Sequence, residues 1–327
     1  MKVLVTSKSF GRTAPDAVDW LVGHGIDVVR ASKPTMTADE IAAEIGDADA
    51  LVVGNDPVDA GVVAAGRRLK LIHMHGTGLD AIDVDAATAA GVLVANAPGA
   101  NRNAVAELTV ALMLMAARRI DRHIEILKAG RWERTAGSEI AGKTIGILGL
   151  GNIGRRIVQL LSGFGVRVVA HDPAAEVGDA DPGVELVSAD EVFAAADFLL
   201  LALPLGEATR GIVDARRLAA MKPTAILVNT ARGGLVDEAA LCAALAEKRI
   251  AGAAIDAFDP EPLPLDSPLR SSGAVLTPHL AATSIEAAAE VSRIVARNLV
   301  DVLVHGRTGC VVNPSALDAR PASPIHS

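Results

Sequence analysis

A run of apolar and β-branched residues from Thr144 to Leu148 stops at Gly149, Gly151 and Gly154, spaced G-x-G-x-x-G inside KTIGILGLGNIGRR. Few patterns restrict a fold as tightly. A strand has to end, turn at once and enter a helix, which is the first half of a βαβ unit. Gly149 permits the turn, Gly151 lets a pyrophosphate approach bare backbone, and Gly154 lets the helix pack close to the strand. The amides at the helix start near Asn152, with the positive end of the helix dipole, then face those phosphates. The pattern returns to strand over 166–170 and reaches Asp172, 18 residues after Gly154. A carboxylate there accepts hydrogen bonds from a ribose 2′-OH and repels a 2′-phosphate, so NAD is expected rather than NADP.

Strand and helix alternate on both sides of this stretch. Before it, strands are expected at 3–6, 26–30, 50–53, 69–74 and 92–95, with helices at 14–24, 38–46 and 58–66. After its first strand at 144–148, further strands are expected at 166–170, 185–187, 198–201, 226–229, 253–255 and 275–276. Such alternation implies parallel sheets covered by helices. The expected fold is α/β, with two doubly wound parallel-sheet domains, Rossmann- and flavodoxin-like, and an active-site cleft between them. Residues 1–97 with 288–327 would form the substrate (catalytic) domain, and 98–287 the NAD-binding Rossmann domain. A long helix from 104 to 119 marks the first junction, and 120–136 is expected to continue helically and then loosen around Arg131, Trp132, Glu133 and Arg134. The amphipathic run 285–304 returns the chain to the first domain, and 318–327 reads as a loose tail.

Composition narrows the partners. With 327 residues there is chain enough for two domains, yet it holds no Tyr, five Phe and two Trp, so stacking platforms for single-stranded nucleic acid are scarce. A net charge of −8 argues against any polyanion. Cys242 and Cys310 form no framework of spacings, which suggests free thiols in a reducing compartment. No signal peptide, membrane span or metal-ligand spacing is expected, and the cytoplasm is the default.

Three segments at expected strand ends carry reactive groups: NTARGGLVDE from Asn229, IDAFDPEPLP from Ile255 and LTPHLAAT from Leu276. In open α/β sheets, ligands bind beyond the carboxyl ends of the strands. The planar fork of Arg232 suits a carboxylate with an adjacent carbonyl, as in a 2-keto acid. His279 can give a proton to the alkoxide formed when hydride arrives, and take it back in reverse. Glu261 can hold that imidazole and favour its charged form. In the first half, His75, Gly76, Thr77 and Gly78 can form a loop with amides suited to a carboxylate.

Taken together, LKLIHMHGTGLDAIDVDAA, NAPGANRNAVAEL, GRWER, GKTIGILGLGNIG, VNTARGGLVDE, AGAAIDAFDPEPLP and LTPHLAAT resemble, in order, the D-isomer-specific 2-hydroxyacid dehydrogenase family. The likeness covers about residues 50–315 and is strongest to its D-3-phosphoglycerate dehydrogenase-like branch. It implies catalytic roles for Arg232, Glu261 and His279, with Asp256 on the nicotinamide carboxamide and Asp172 on the adenosine ribose. It also implies the Asn152 and Ile153 backbone on the pyrophosphate, with Leu203, Thr230, Ala231 and Ala281 lining the cofactor. Gly76, Thr77 and Gly78 match the substrate-carboxylate loop, and a homodimer is the usual state, with Trp132 and Arg134 at its interface.

Two departures bear on the substrate. Phosphoglycerate enzymes tend to carry an arginine just after the strand matching 50–53, and some another just before the substrate loop. Here Gly54, Asn55 and Met74 hold those places. A small 2-keto acid such as hydroxypyruvate or glyoxylate is therefore expected, with Asn55 and His75 among the residues facing it. His73 and His75 alternate onto one strand face and are either cationic or packed. A true D-3-phosphoglycerate dehydrogenase is the alternative. Formate-oxidising relatives carry Gln where Glu261 stands, and an NAD-sensing corepressor is the alternative of another class.

Overall fold

A computed structural model describes residues 1–176 and 183–319; the expected tail lies outside these from residue 320 on. The chain divides into two compact units, one of Met1–Asn101 with Thr283–Ser327, the other Arg102–Ala282.

In the first unit β1 (Lys2–Val5), α1 (Pro15–Gly23), β2 (Asp27–Arg30), α2 (Ala38–Ile45), β3 (Ala50–Val53), α3 (Ala60–Ala65), β4 (Leu71–Met74), α4 (Val84–Ala89) and β5 (Leu93–Ala95) follow in order. The strands pair in parallel as β2-β1-β3-β4-β5. Side chains alternate across the pleat: Val3 and Val5 join Leu21, Val295 and Leu299 on one face, while Leu4 joins Ile41, Ile45 and Val62 on the other. With both faces covered, β3 and β4 are buried along their whole length, as parallel strands flanked by helices must be. Helix starts follow local chemistry. Thr37 and Glu40 form a capping box on α2, while Asp59 and Asp83 cap α3 and α4, each such cap contributing about 1 kcal/mol. The first unit also takes the long helix Ile285–Leu303, whose face of Val291, Val295, Leu299 and Val302 is buried.

The second unit opens with α5 (Arg102–Arg118) and α6 (Ile120–Lys128). Arg119 between them is left-handed at φ 53, so the helix is interrupted there. The second helical run ends at Lys128: Gly130 turns at φ 72, and residues 131–140, over which the run was expected to loosen, carry no helix or strand.

All seven expected strands then form: β6 (Thr144–Leu148), β7 (Arg167–His171), β8 (Val184–Leu186), β9 (Phe198–Leu201), β10 (Ile226–Asn229), β11 (Gly252–Ile255) and β12 (Val275–Leu276), with α7 (Asn152–Leu161), α8 (Ala189–Ala195), α9 (Ala215–Ala220) and α10 (Glu238–Ala246) between them. Their parallel order, β12-β11-β10-β9-β6-β7-β8, reverses between β6 and β9, and that reversal leaves a crevice beyond the strand ends. Among the described residues no helix is long and apolar enough to cross a membrane, and no group of side chains is placed to hold a metal ion.

Candidate active site

The glycine turn sits at the crevice between β6 and β9. Gly149 has φ +94, and a Cβ there would come within 2.5 Å of the Ala202 carbonyl oxygen. The same turn lies against the Leu203 amide, so Leu203 is brought to it. A Cβ on Gly154 would overlap the Gly149 carbonyl, whereas a Cβ on Gly151 would meet nothing within 4 Å. Two glycines are therefore needed for packing, and the third faces open space. The helix that starts at Asn152 and Ile153 has Gly151 as its N-cap and no side-chain cap bond, which leaves its first amides for an outside acceptor. These residues fit a pyrophosphate. Asp172 accepts from Leu150 N at 2.8 Å and from Ala174 N at 2.9 Å, so the carboxylate at the tip of β7 is tied to the turn itself.

Beyond β10 the chain carries Arg232, and one side chain fixes its loop. Asn229 accepts from Ala231 N at 3.0 Å and donates to Arg232 O at 2.9 Å. The hydroxyl of Thr230 lies 2.6 Å from that of Thr109 on α5, so this residue is anchored to a buried helix. Gly233 then runs against Phe258 and Asp259; a Cβ on it would collide with the Phe258 carbonyl. That close approach brings the loop carrying Arg232 beside the loop carrying Glu261.

Glu261 and His279 meet. His279 Nδ1 lies 2.8 Å from each Glu261 carboxylate oxygen, and Oε1 also accepts from Phe258 N at 2.9 Å. The contact uses Nδ1 and leaves Nε2 as the second ring position for an outside group.

His279 is left-handed at φ 49, a conformation that a residue with a Cβ holds only when its surroundings impose it. Here the constraint is Asp256, fully buried at the end of β11. Its carboxylate accepts from Thr277 Oγ1 at 2.6 Å, Leu280 N at 2.9 Å and Ala281 N at 2.9 Å, while its carbonyl accepts from His279 N at 2.8 Å. Asp256 thus clamps the whole strap from Thr277 to Ala281. Sequence reasoning did not find Asn229 and Thr277 as parts of the site, nor the clamp by Asp256. The signals were present, a polar residue closing a buried strand in each case, but their partners are set by the fold.

The first unit holds the remaining candidates. Asn55 is exposed beyond β3, and Met74 is buried at the end of β4. Gly76 O accepts from Ala97 N at 2.9 Å, and Thr77 O accepts from Asn96 Nδ2 at 2.7 Å. The amides of Thr77 and Gly78 donate to none of the described residues.

His73 and His75 are both packed. His73 lies between Met74 O and Asn298, at 2.8 and 3.0 Å, and His75 between Ser9 and Ser292, at 3.1 and 3.0 Å. Burial pushes each down to about 4, His73 adding to the effect on His75. Neither is a cation at neutral pH. Because the folded values lie below the ordinary one near 6.5, the unfolded chain takes up protons first as pH falls. Stability present above about pH 6.5 should decline toward pH 4, by at most ~1.4 kcal/mol per pH unit for each ring. Thermal melts of wild type and His75→Gln across this window check it, the variant losing less; equal pH dependence of the two would remove the assignment.

A dinucleotide-type glycine turn, with an arginine, a glutamate and a histidine on neighbouring strand ends, defines the second unit as a nucleotide-binding α/β fold with a glutamate–histidine pair beyond its strands. A family model, D-isomer specific 2-hydroxyacid dehydrogenase, NAD binding domain, matches residues 110–281. The chain belongs to the D-isomer specific 2-hydroxyacid dehydrogenase family, and its cofactor is NAD. D-3-phosphoglycerate dehydrogenase of Mycobacterium tuberculosis is 46% identical over 254 residues, 76% of this chain and 48% of the relative. Hydroxypyruvate reductase of Thermotoga maritima is 42% identical over 256 residues, 76% of this chain and 83% of the relative. Among solved structures, a glyoxylate reductase from Paecilomyes thermophila superposes with a TM-score of 0.85 at 30% identity, covering 95% of this chain and 98% of that one. The chain spans about half the length of the phosphoglycerate dehydrogenases it matches.

Proposed function

We propose that this protein is an NAD-dependent dehydrogenase interconverting a small 2-keto acid, of the hydroxypyruvate or glyoxylate class, and its D-2-hydroxy acid. The observation that carries the proposal is the His279–Glu261 pair at 2.8 Å on a strand end of the NAD-binding unit. When bound, NAD supplies or accepts the hydride. The chain does the rest. Arg232 grips the carboxylate and polarises the carbonyl. His279 Nε2 gives its proton to the nascent alkoxide, while Glu261 steadies the imidazolium through Nδ1.

The absence of a cation at Gly54, Asn55 and Met74 supports an unphosphorylated substrate. A D-3-phosphoglycerate dehydrogenase is the second reading, favoured by the 46% identity to an enzyme of that name. NADH oxidation against glyoxylate, hydroxypyruvate, pyruvate and phosphohydroxypyruvate tests both. The first reading expects turnover on unphosphorylated acids; a strong preference for phosphohydroxypyruvate replaces it with the second, and silence on all four removes both.

We propose further a homodimer in the cytoplasm. Its support is an apolar face on α6, where Ile120, Ile124 and Leu127 are exposed, followed by Trp132 at 83% exposure; such a patch is unusual on a monomer. The two free thiols suit a reducing compartment. Leu127→Glu is expected to shift the protein toward monomer in light scattering, and an unchanged mass rules out this face.

A further inference from the structure

Glu261 stands in a loop with few means of holding itself. In the run Phe258-Asp259-Pro260-Glu261-Pro262 the prolines have no amide to give, so backbone donors come only from Phe258, Asp259 and Glu261. The first is used within the loop: Phe258 N donates to Glu261 Oε1 at 2.9 Å, the oxygen that also faces His279 Nδ1. The second reaches outside it. Asp259 N donates to Glu238 Oε1 at 3.2 Å, and Glu238 is the first residue of α10.

The start of α10 does not need the Glu238 side chain, because Asp237 already caps it, accepting from Ala240 N at 3.0 Å. Glu238 is half-buried. Burial pushes its carboxyl above the usual range, the bond from the Asp259 amide opposes that, and the Asp259 carboxylate adds to it. A charge is thus kept where it is disfavoured, next to the one amide that it holds. The other tie on Asp259 is weaker. Its carboxylate accepts from Arg210 Nη1 at 3.3 Å, but both side chains are exposed, and such pairs contribute little. A Cβ on Gly234 would come within 3.1 Å of both partners, so Asp259 also lies against the glycines that follow Arg232.

We infer that Glu238 is a positioning residue for the proton step: by holding the Asp259 amide, it fixes the loop in which Glu261 faces His279. The inference rests on the dehydrogenase reading and adds to it a residue that touches none of the reacting atoms.

The test compares Glu238→Ala with Glu238→Gln in the whole chain, on hydroxypyruvate or glyoxylate, whichever turns over faster. Glutamine keeps an oxygen for the Asp259 amide and gives up the charge, while Asp237 preserves the helix start in both variants. Glu238→Ala is expected to lower kcat about tenfold, as a small misplacement beside a reacting centre does, with NADH affinity unchanged. Glu238→Gln should recover kcat to within about twofold of wild type, since it can still accept the bond. In a Glu261→Gln background Glu238→Ala should add almost nothing, because the group through which it acts is gone. Full kcat in Glu238→Ala, equal losses in both variants, or an undiminished loss in the Glu261→Gln background overturns the inference. A second readout needs no turnover. The His279 Nδ1 proton shared with Glu261 should give a downfield proton resonance, assigned by its absence in His279→Gln, that survives in Glu238→Gln and is lost in Glu238→Ala. A wild type silent on every keto acid removes the dehydrogenase reading, whereas a resonance intact in Glu238→Ala removes the role of Glu238 alone.

Discussion

His279→Gln is expected to lower kcat by roughly 10²- to 10⁴-fold, the usual contribution of a positioned acid–base group, while NADH affinity and Tm stay near wild type. The reason lies in the two ends of the ring. Nδ1 faces both oxygens of Glu261 at 2.8 Å, and a glutamine amide can still donate to that carboxylate, so the loop keeps its partner. What disappears is a titrating nitrogen for the substrate. Steady-state turnover with a fluorescence titration of NADH separates the outcomes. Retention of full turnover in a variant that still binds NADH would remove His279 from the proton step.

Gly233→Ala should be the most damaging single methyl group in the second unit. The added Cβ would meet the Phe258 carbonyl and the Asp259 amide, which are backbone atoms with no rotamer to change. Overpacking against fixed backbone costs about 3 kcal/mol, or roughly 6–12 °C in Tm. Activity should fall further than stability, because the collision separates the loop of Arg232 from the loop of Glu261. Gly151→Ala provides the contrast. Its Cβ has open space, so its Tm should hold while NADH affinity drops. Equal Tm for wild type and Gly233→Ala would mean that the two loops are not held in contact.

Much of this arrangement is legible in the sequence, because its signals are local. A strand ending in three spaced glycines, and charged residues just past β-branched runs, need no knowledge of distant chain. Arg232, Glu261 and His279 were accessible in that way. The clamp was not: Asp256 contacts residues 21 to 25 positions away, and nothing local distinguishes its carboxylate from one aimed at a ligand. Nor was the state of His73 and His75, whose alternation is the same whether a helix buries them or solvent charges them. The helical run expected to loosen around Arg131 ends at Lys128, ahead of the left-handed Gly130, while the left-handed Arg119 separates it from α5, a break that arginine does not advertise.

The second unit is one unbroken stretch, Arg102–Ala282, set into a first unit whose two segments flank it. The glycine turn, the arginine, the glutamate–histidine pair and the clamp all fall inside that stretch, while the candidate carboxylate loop falls outside it. In genetic terms that stretch is a cassette with two splice points. Recombination at Arg102 and Ala282 would carry the glycine turn, Arg232, Glu261, His279 and the clamp as one piece, and drift in the flanking segments would leave their mutual contacts intact.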